Sequence, residues 1–510
     1  FKISFDKFER NAVLVSDLAG ASNSSSQKEF AGISEMSANS LNPSQQFDIA
    51  SKQGVKISVN HEGWYRVSAE QLTANGFDIN SNRSNWQLFV GGEEIAMRIT
   101  VDGSIEFYGY GTDTLATDRQ VYYLVNGQTG GMRLTEVKSG RAGENPLPSF
   151  TSTVQNKNRS IYASSLLNGE AENWFGAIIN PNGQTVESLN LTNIDTDSPA
   201  RLRIRLQGLT VVPHSVNVRF NDLDLGQVSF NGMENREFDF DIPATSLNEG
   251  ANSIRLQSVG STNDFSLVDT VSLSYSRLYK AVNNRLRFNV PAGQSVRVSG
   301  FTTGKIAVNE IQNGAVGVRA AVYVTESNGE ASFELGAVGR NREFLAVGLL
   351  QSEQAAAVEP NHPSRWNAAD NEAEMIVIAP AVFQNQAAQL AEMRQRQNLE
   401  TKVVLAEDIA DEFGYGILTV EAIKAFLQNA SANWSVKPNY VVLFGDSSYD
   451  LRNYLGQTNR NIIPTKLIDT VFMETSSDSW MADFDNDGIE NIAIGRLPAA
   501  NQTEADVLVA

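Results

Sequence analysis

Cysteine is absent from the 510 residues, and histidine occurs three times, at His61, His214 and His362. No disulfide framework, thiolate metal site or cysteine nucleophile is available within them. Basic residues are in the minority: 40 Lys and Arg against 59 Asp and Glu give a formal charge of −19. That argues against nucleic acid or an anionic membrane as the main partner, because both need a basic surface. It serves solubility and also suits calcium. No apolar run approaches the ~20 residues that cross a bilayer. No phosphate-cradling loop, HExxH pattern or CxxC pair occurs. The chain opens at Phe1 without a Met or a signal peptide, and Thr503–Ala510 reads as a helix. The expectation is a processed segment of a polypeptide that continues.

A chain of this length exceeds one core and predicts several domains. Residues 1–55 begin with a strand-like piece, Phe1–Phe5, and become Ser-, Asn- and Ala-rich over Ala21–Gln46. They read as a linker or loosely ordered arm. Residues 56–160 read as a small antiparallel β domain. In it Val55, Ile57 and Val59 alternate onto one face, and turns at His61-Glu62-Gly63, Gly91-Gly92 and Asp102-Gly103 separate short strands. Seven short strands between Ser188 and Tyr275, with regular turn signals, predict a β-sandwich over 161–283. Such a sandwich serves as a spacer or meets cell-surface glycans. Residues 284–370 continue in β style as a bridging region, with a linker candidate at Pro360–Ala369.

From residue 371 to residue 510 the pattern changes. Ala373–Pro380, Lys402–Leu405 and Tyr440–Gly445 are short apolar, β-rich runs, separated by helix-compatible Phe383–Gln397 and Thr419–Gln428. Thr419 is the expected N-cap of the second helix. Alternating strands and helices predict a parallel α/β sheet, whose working edge lies beyond the carboxyl ends of its strands. The fold class is therefore multidomain: all-β modules including a sandwich, then an α/β parallel-sheet domain that is incomplete at its C-terminus.

Two stretches on that edge carry candidate chemistry. Val441–Asp450 (VVLFGDSSYD) ends a strand in Gly-Asp-Ser and resembles the nucleophile block of GDS-type serine esterases, with Ser447 as nucleophile. That chemistry needs a histidine base downstream, and the three histidines all lie upstream. The structural alternative is that Gly445 permits a tight turn and Asp446 orients the loop or caps a helix. The second stretch, Asp483 to Glu490 (DFDNDGIE), places carboxylates at alternate positions before a glycine. This is what the first three ligand positions of a calcium loop supply. The twelfth position is Ile494, not the bidentate Glu of an EF-hand. The expected calcium ligands are Asp483, Asp485, Asp487 and Glu490, completed by backbone carbonyls, water or distant residues. The alternative is a solvated acidic turn.

Several segments taken in order resemble the gingipain family of cysteine peptidases: AEMIVIAPAVF (373–383), DIADEFGYG (408–416), AIKAFL (422–427), KPNYVVLFGDSSYDLRN (437–453), IIPTKLIDT (462–470) and ETSSDSWMADFDNDGIENIAIGRLP (474–498). Upstream, GWYRVSAEQL (63–72), GSIEFYGYGTDT (103–114) and VDTVSLSYSRLY (268–279) look like the β region that precedes such domains in large exported bacterial members. The resemblance implies a caspase-like fold and an endopeptidase acting on proteins or peptides through a Cys-His pair, secreted or on the cell surface of a bacterium. It covers the first part of the catalytic domain. The family's histidine and cysteine follow later strands and have no counterpart here, so they are expected beyond Ala510. The competing reading is a non-catalytic surface protein on the same scaffold.

Overall fold

The computed structural model describes residues 27–30, 42–349, 351–457 and 460–510. The strand expected at Phe1–Phe5 lies outside them. The chain is mostly β, built from several separate sheets, and multidomain.

The first β unit pairs Gly54–Val59 with Gln120–Asn126 on one side and, across the chain, with Ala357–Asn361 on the other. Val55, Ile57 and Val59 are fully buried, as their alternation predicts. They meet Trp86, Leu88, Tyr122 and Leu124, together with Tyr65 and Phe107 of a second small sheet. The stretch read as a linker at Pro360–Ala369 thus begins inside a sheet. Its pairing partner lies so far away in sequence that no local signal announces it. The arm also ends in structure. Pro43–Ala50 is a helix, started by the Asn42 side chain accepting from Gln45 N, with Gln46, Ile49 and Ala50 buried.

Two antiparallel sheets then enclose one core. One has the order Gln27–Phe30, Ser149–Asn156, Ser266–Leu278, Ala200–Gly208, Asn235–Ile242; the other runs Gln184–Leu191, Gly250–Ser258, Pro213–Phe220, Leu223–Asn231. Leu202, Ile204 and Leu273 of the first face Val218, Phe220 and Leu256 of the second. Strand 149–156 belongs to this sandwich. A further unit, built on Arg285–Val290, Ile306–Gln312 and Arg342–Gly348, packs Phe288, Phe301, Phe333 and Phe344 into a core of its own.

The last unit is a parallel four-stranded sheet. Its elements are β1 (Met375–Ala379), α1 (Gln384–Gln395), β2 (Thr401–Leu405), α2 (Ala406–Phe413), α3 (Val420–Asn433), β3 (Tyr440–Phe444), β4 (Lys466–Asp469), β5 (Glu474–Ser477), β6 (Ala493–Leu497) and α4 (Gln502–Val509). The sheet order is β2-β1-β3-β6, every pair parallel, while β4 and β5 form a separate hairpin. All five residues of β1 are buried, which suits a central strand covered on both faces. Helices α2 and α3 supply Ile409, Ile423, Phe426 and Leu427 to one face; Ala387 and Leu390 of α1, with Ala505 of α4, cover the other. Thr419 caps α3 by accepting from Ala422 N at 3.1 Å, as expected. Among the described residues no helix is long and apolar enough to cross a membrane.

Candidate functional site

The carboxyl edge of the parallel sheet is shaped by the segment that leaves β3. Gly445 N and Asp446 N donate to Leu497 O and Ala499 O at 3.0 and 2.8 Å, tying this segment to the end of β6. Gly445 is needed for space rather than for a turn: a Cβ there would lie 2.8 Å from the side chains of Ile462 and Ile463. Asp446 does orient the loop. Its Oδ1 accepts from Ser447 N at 2.9 Å, and its carbonyl accepts from Ile462 N and Ile463 N. Buried Asp450 accepts from Tyr454 N (2.7 Å) and Leu455 N (2.9 Å), closing the next turn.

Ser447 has no histidine to activate it among the described residues. His214 is fully buried in the sandwich against Asp264 at 2.6 Å, and His61 bonds Asn60 at 2.8 Å. The nucleophile–base pair of an esterase is not assembled here.

Arg496 of β6 locks this edge. Its guanidinium makes a two-point ion pair with Asp478 (2.8 and 2.6 Å) and donates to the carbonyls of Gly445 (2.8 Å), Ile463 (2.7 Å) and Pro464 (3.2 Å). A planar fork of five donors can satisfy acceptors in several directions at once, which a lysine cannot.

The acidic loop forms a compact turn between Met481 and β6. Asp483 is buried and its two carboxylate oxygens accept from Asp487 N (3.2 Å) and Gly488 N (2.9 Å). The turn needs left-handed backbone at Asn486 (φ 58°) and Gly488 (φ 89°). Asn486 tolerates it and Gly488 removes the penalty. Asp483, Asp485 and Asp487 each offer an oxygen within 4.8 Å of the others. Glu490 stands outside this group: the Ser479 hydroxyl hydrogen-bonds it and holds its carboxyl below the usual range. Lys424 of α3 donates to Asn486 at 2.9 Å and lies 4.1 Å from the Trp480 ring centre, fixing the loop to the domain.

A second set of residues at this edge has no local signal in the sequence. The segment Ile161–Phe175, whose strands are two residues long, lies against the loops after β3 and around β4 and β5. Tyr449 stacks on Tyr162 with centroids 4.6 Å apart and planes at 22°, while Tyr454 meets Trp174 at 5.1 Å. Glu474 N donates to Ser164 O, and the Tyr162 hydroxyl donates to the Glu474 carboxylate. Lys466 pairs with Glu170 at 2.6 Å, and Arg452 and Arg159 converge on Asp113 at 2.7 and 3.0 Å. Burial, then the Glu474 contact, pushes the Tyr162 hydroxyl well above its ordinary pKa, so it stays a donor.

Residues 368–510 match the model of Peptidase family C25. Among solved structures the chain is similar in fold to dimeric latent PorU from Porphyromonas gingivalis, with TM-score 0.66 and 17% identity, covering 90% of this chain and 49% of that one. The chain thus spans about half the length of that structure. A carbohydrate-binding module CBM36 in complex with calcium and xylotriose aligns at 14% identity over 24% of this chain and 98% of that one; its TM-score of 0.18 is too low to carry an argument. The same holds for a CBM36-1 domain of a xylanase from the hindgut metagenome of Trinervitermes trinervoides (TM-score 0.17, 10% identity, 23% of this chain and 89% of that one). No curated protein matches. Residues 368–510 therefore belong to peptidase family C25, the gingipain family that their motifs resemble.

Proposed function

We propose that this chain is the N-terminal portion of an exported cysteine endopeptidase acting on proteins or peptides. In this reading residues 371–510 supply the first part of a caspase-like catalytic domain. The observation that carries it is the coincidence of the family C25 match with a parallel four-stranded sheet. The 510 residues hold no cysteine, so in this reading the catalytic cysteine of such an enzyme is expected outside them. What these residues do is structural: Gly445, Asp446, Asp478 and Arg496 set the shape of the sheet edge. The Ile161–Phe175 segment joins the β region to it. A secreted or surface location in a bacterium follows from the same family reading. The test is hydrolysis of an unfolded protein by the natural polypeptide. Loss of hydrolysis on thiol alkylation supports the reading. Hydrolysis that survives alkylation overturns it, and its complete absence favours the non-catalytic surface protein.

The acidic loop is proposed to hold calcium. The donor set fits: three carboxylates converge within 4.8 Å, all hard oxygen donors, on a turn already shaped by Asp483. Asp483, Asp485 and Asp487 would hold the ion, and Glu490 would have to leave Ser479 to join them. A bound cation neutralises three crowded negative charges and thereby stiffens the loop between Trp480 and β6.

A further inference from the structure

A cleft of about 960 Å³ opens between the sandwich strand Ser149–Asn156 and the strands Arg285–Val290 and Arg342–Gly348 of the neighbouring unit. That volume is in the range of small-molecule sites, which favour junctions between domains. Arg342 lines it and is only 8% exposed. One of its terminal nitrogens donates to Gly336 O at 2.6 Å, but Nε is buried without a hydrogen-bond partner. Both acids around the cleft are already matched. Glu310 lies against Arg340 at 2.5 Å, a contact of charge rather than an aligned hydrogen bond, and Glu343 pairs with Arg287 at 2.8 Å. Arg342 forms no ion pair with a carboxylate among the described residues. Glu310 gives Arg342 electrostatic support without touching it, and the Phe344 ring centre lies 5.1 Å from its guanidinium, so the buried cation lacks a carboxylate in direct contact, which a ligand could supply.

The remaining lining sets the kind of partner. Ser149, Thr151, Asn289, Gln312 and Asn341 present uncharged hydroxyls and amides, and Phe150, Val290 and Ile311 give apolar surface beneath them. Side-chain amides match the paired donors and acceptors of sugar hydroxyls. Apolar patches match the CH faces of a pyranose ring. The sequence leaves the sandwich as a spacer or a glycan contact; this geometry favours the second and gives it one place and one charge. We infer that the cleft binds a carboxylate-bearing saccharide, a uronate unit whose carboxylate pairs with Arg342. The inference stands independently of the peptidase reading.

The test is calorimetric or saturation-transfer titration of the full chain with glucuronate, glucose and an acidic dipeptide such as Asp-Gly. Glucuronate binding at least tenfold tighter than either of the others is expected. Arg342→Gln should weaken glucuronate at least tenfold while leaving glucose unchanged. Because that variant alters a buried site, Gln312→Glu serves as the second: the side chain is exposed, and a carboxylate at the cleft mouth should repel the ligand by a similar factor with an unchanged melting temperature. Absence of glucuronate binding overturns the inference. So do equal affinities for glucuronate and glucose, tighter binding of the dipeptide, or indifference to Gln312→Glu.

Discussion

The Lys56 ammonium lies 2.9 Å from the buried carboxylate of Asp411, a residue 355 positions later in the chain. Tyr123 donates to the same carboxylate at 2.7 Å, and Gln46 donates to the Asp411 carbonyl at 2.6 Å. Helix α2 of the parallel-sheet unit therefore finds the partners of its buried charge in the first β unit. Removing one member of a buried pair strands the other, at a cost of about 3–5 kcal/mol. Lys56→Met should lower the melting temperature sharply, and Lys56→Met combined with Asp411→Asn should recover much of the loss. A double-mutant cycle checks this. Additive losses would show that the pair is not coupled.

The same relationship bears on fragments. Residues 373–510 expressed alone lose Lys56, Tyr123 and Gln46 from Asp411, leaving that carboxylate without its partners. The fragment should aggregate or melt without cooperativity, whereas the 510-residue chain should not. A monomeric fragment with a cooperative melt contradicts this.

Asp408, on the same helix, gives a pH dependence with a definite sign. Burial raises its pKa to about 6, against the opposing hydrogen bond from Trp366 Nε1 at 2.9 Å; Asp411 and Glu412 raise it further. The folded state thus holds the proton more tightly than the unfolded one. The stabilisation is fully present below the unfolded carboxylate value and is lost as pH rises through about 6. Asp408→Asn should flatten the fall in stability between about pH 4 and pH 7 and melt higher than the parent at pH 8. Denaturant titrations at pH 5 and pH 8 measure it. Parallel pH profiles for the two proteins would contradict it.

Arg496 holds three carbonyls and Asp478 together. Arg496→Met leaves those acceptors unpaired and should cost about 3 kcal/mol or more, since charged hydrogen bonds contribute about 1.5–3 kcal/mol each. Arg496→Lys keeps the charge but not the fork and should recover less than half. Hydrogen exchange at Ile463 and Thr465 reports the local loosening.

Calcium should raise the melting temperature of the chain relative to chelator, by an amount equivalent to about 2.7 kcal/mol at a hundredfold excess over Kd. Asp485→Asn with Asp487→Asn should abolish the rise and leave the chelated protein unharmed, because both side chains are exposed. An undiminished rise in that variant places the ion elsewhere.

Much of the parallel sheet was legible because its strands are short apolar runs between punctuated helices: Ala373–Pro380 became Met375–Ala379, and Tyr440–Gly445 became Tyr440–Phe444. The sequence pattern of helix α2 does not announce a helix. Four acids in AEDIADEF hide its buried stripe, since Asp411 and Glu412 are themselves buried against partners from elsewhere. Pro43–Ala50 was hidden by its Ser- and Asn-rich surroundings. In the candidate calcium loop, alternation led to Asp483, Asp485 and Asp487, but nothing local shows that Ser479 draws Glu490 aside. The contacts of Tyr449 with Tyr162, and of Lys466 with Glu170, join residues hundreds of positions apart. Pairings of that kind are written in the tertiary fold and not in any window of sequence.

The most direct measurement is covalent labelling of the natural polypeptide with a cysteine-directed peptide electrophile, followed by peptide mapping. The account predicts one labelled cysteine, located outside these 510 residues, with label uptake and protein hydrolysis lost together when that cysteine is replaced by alanine. Hydrolysis that persists in the alanine variant, or a polypeptide that takes no label and cleaves nothing, would contradict it.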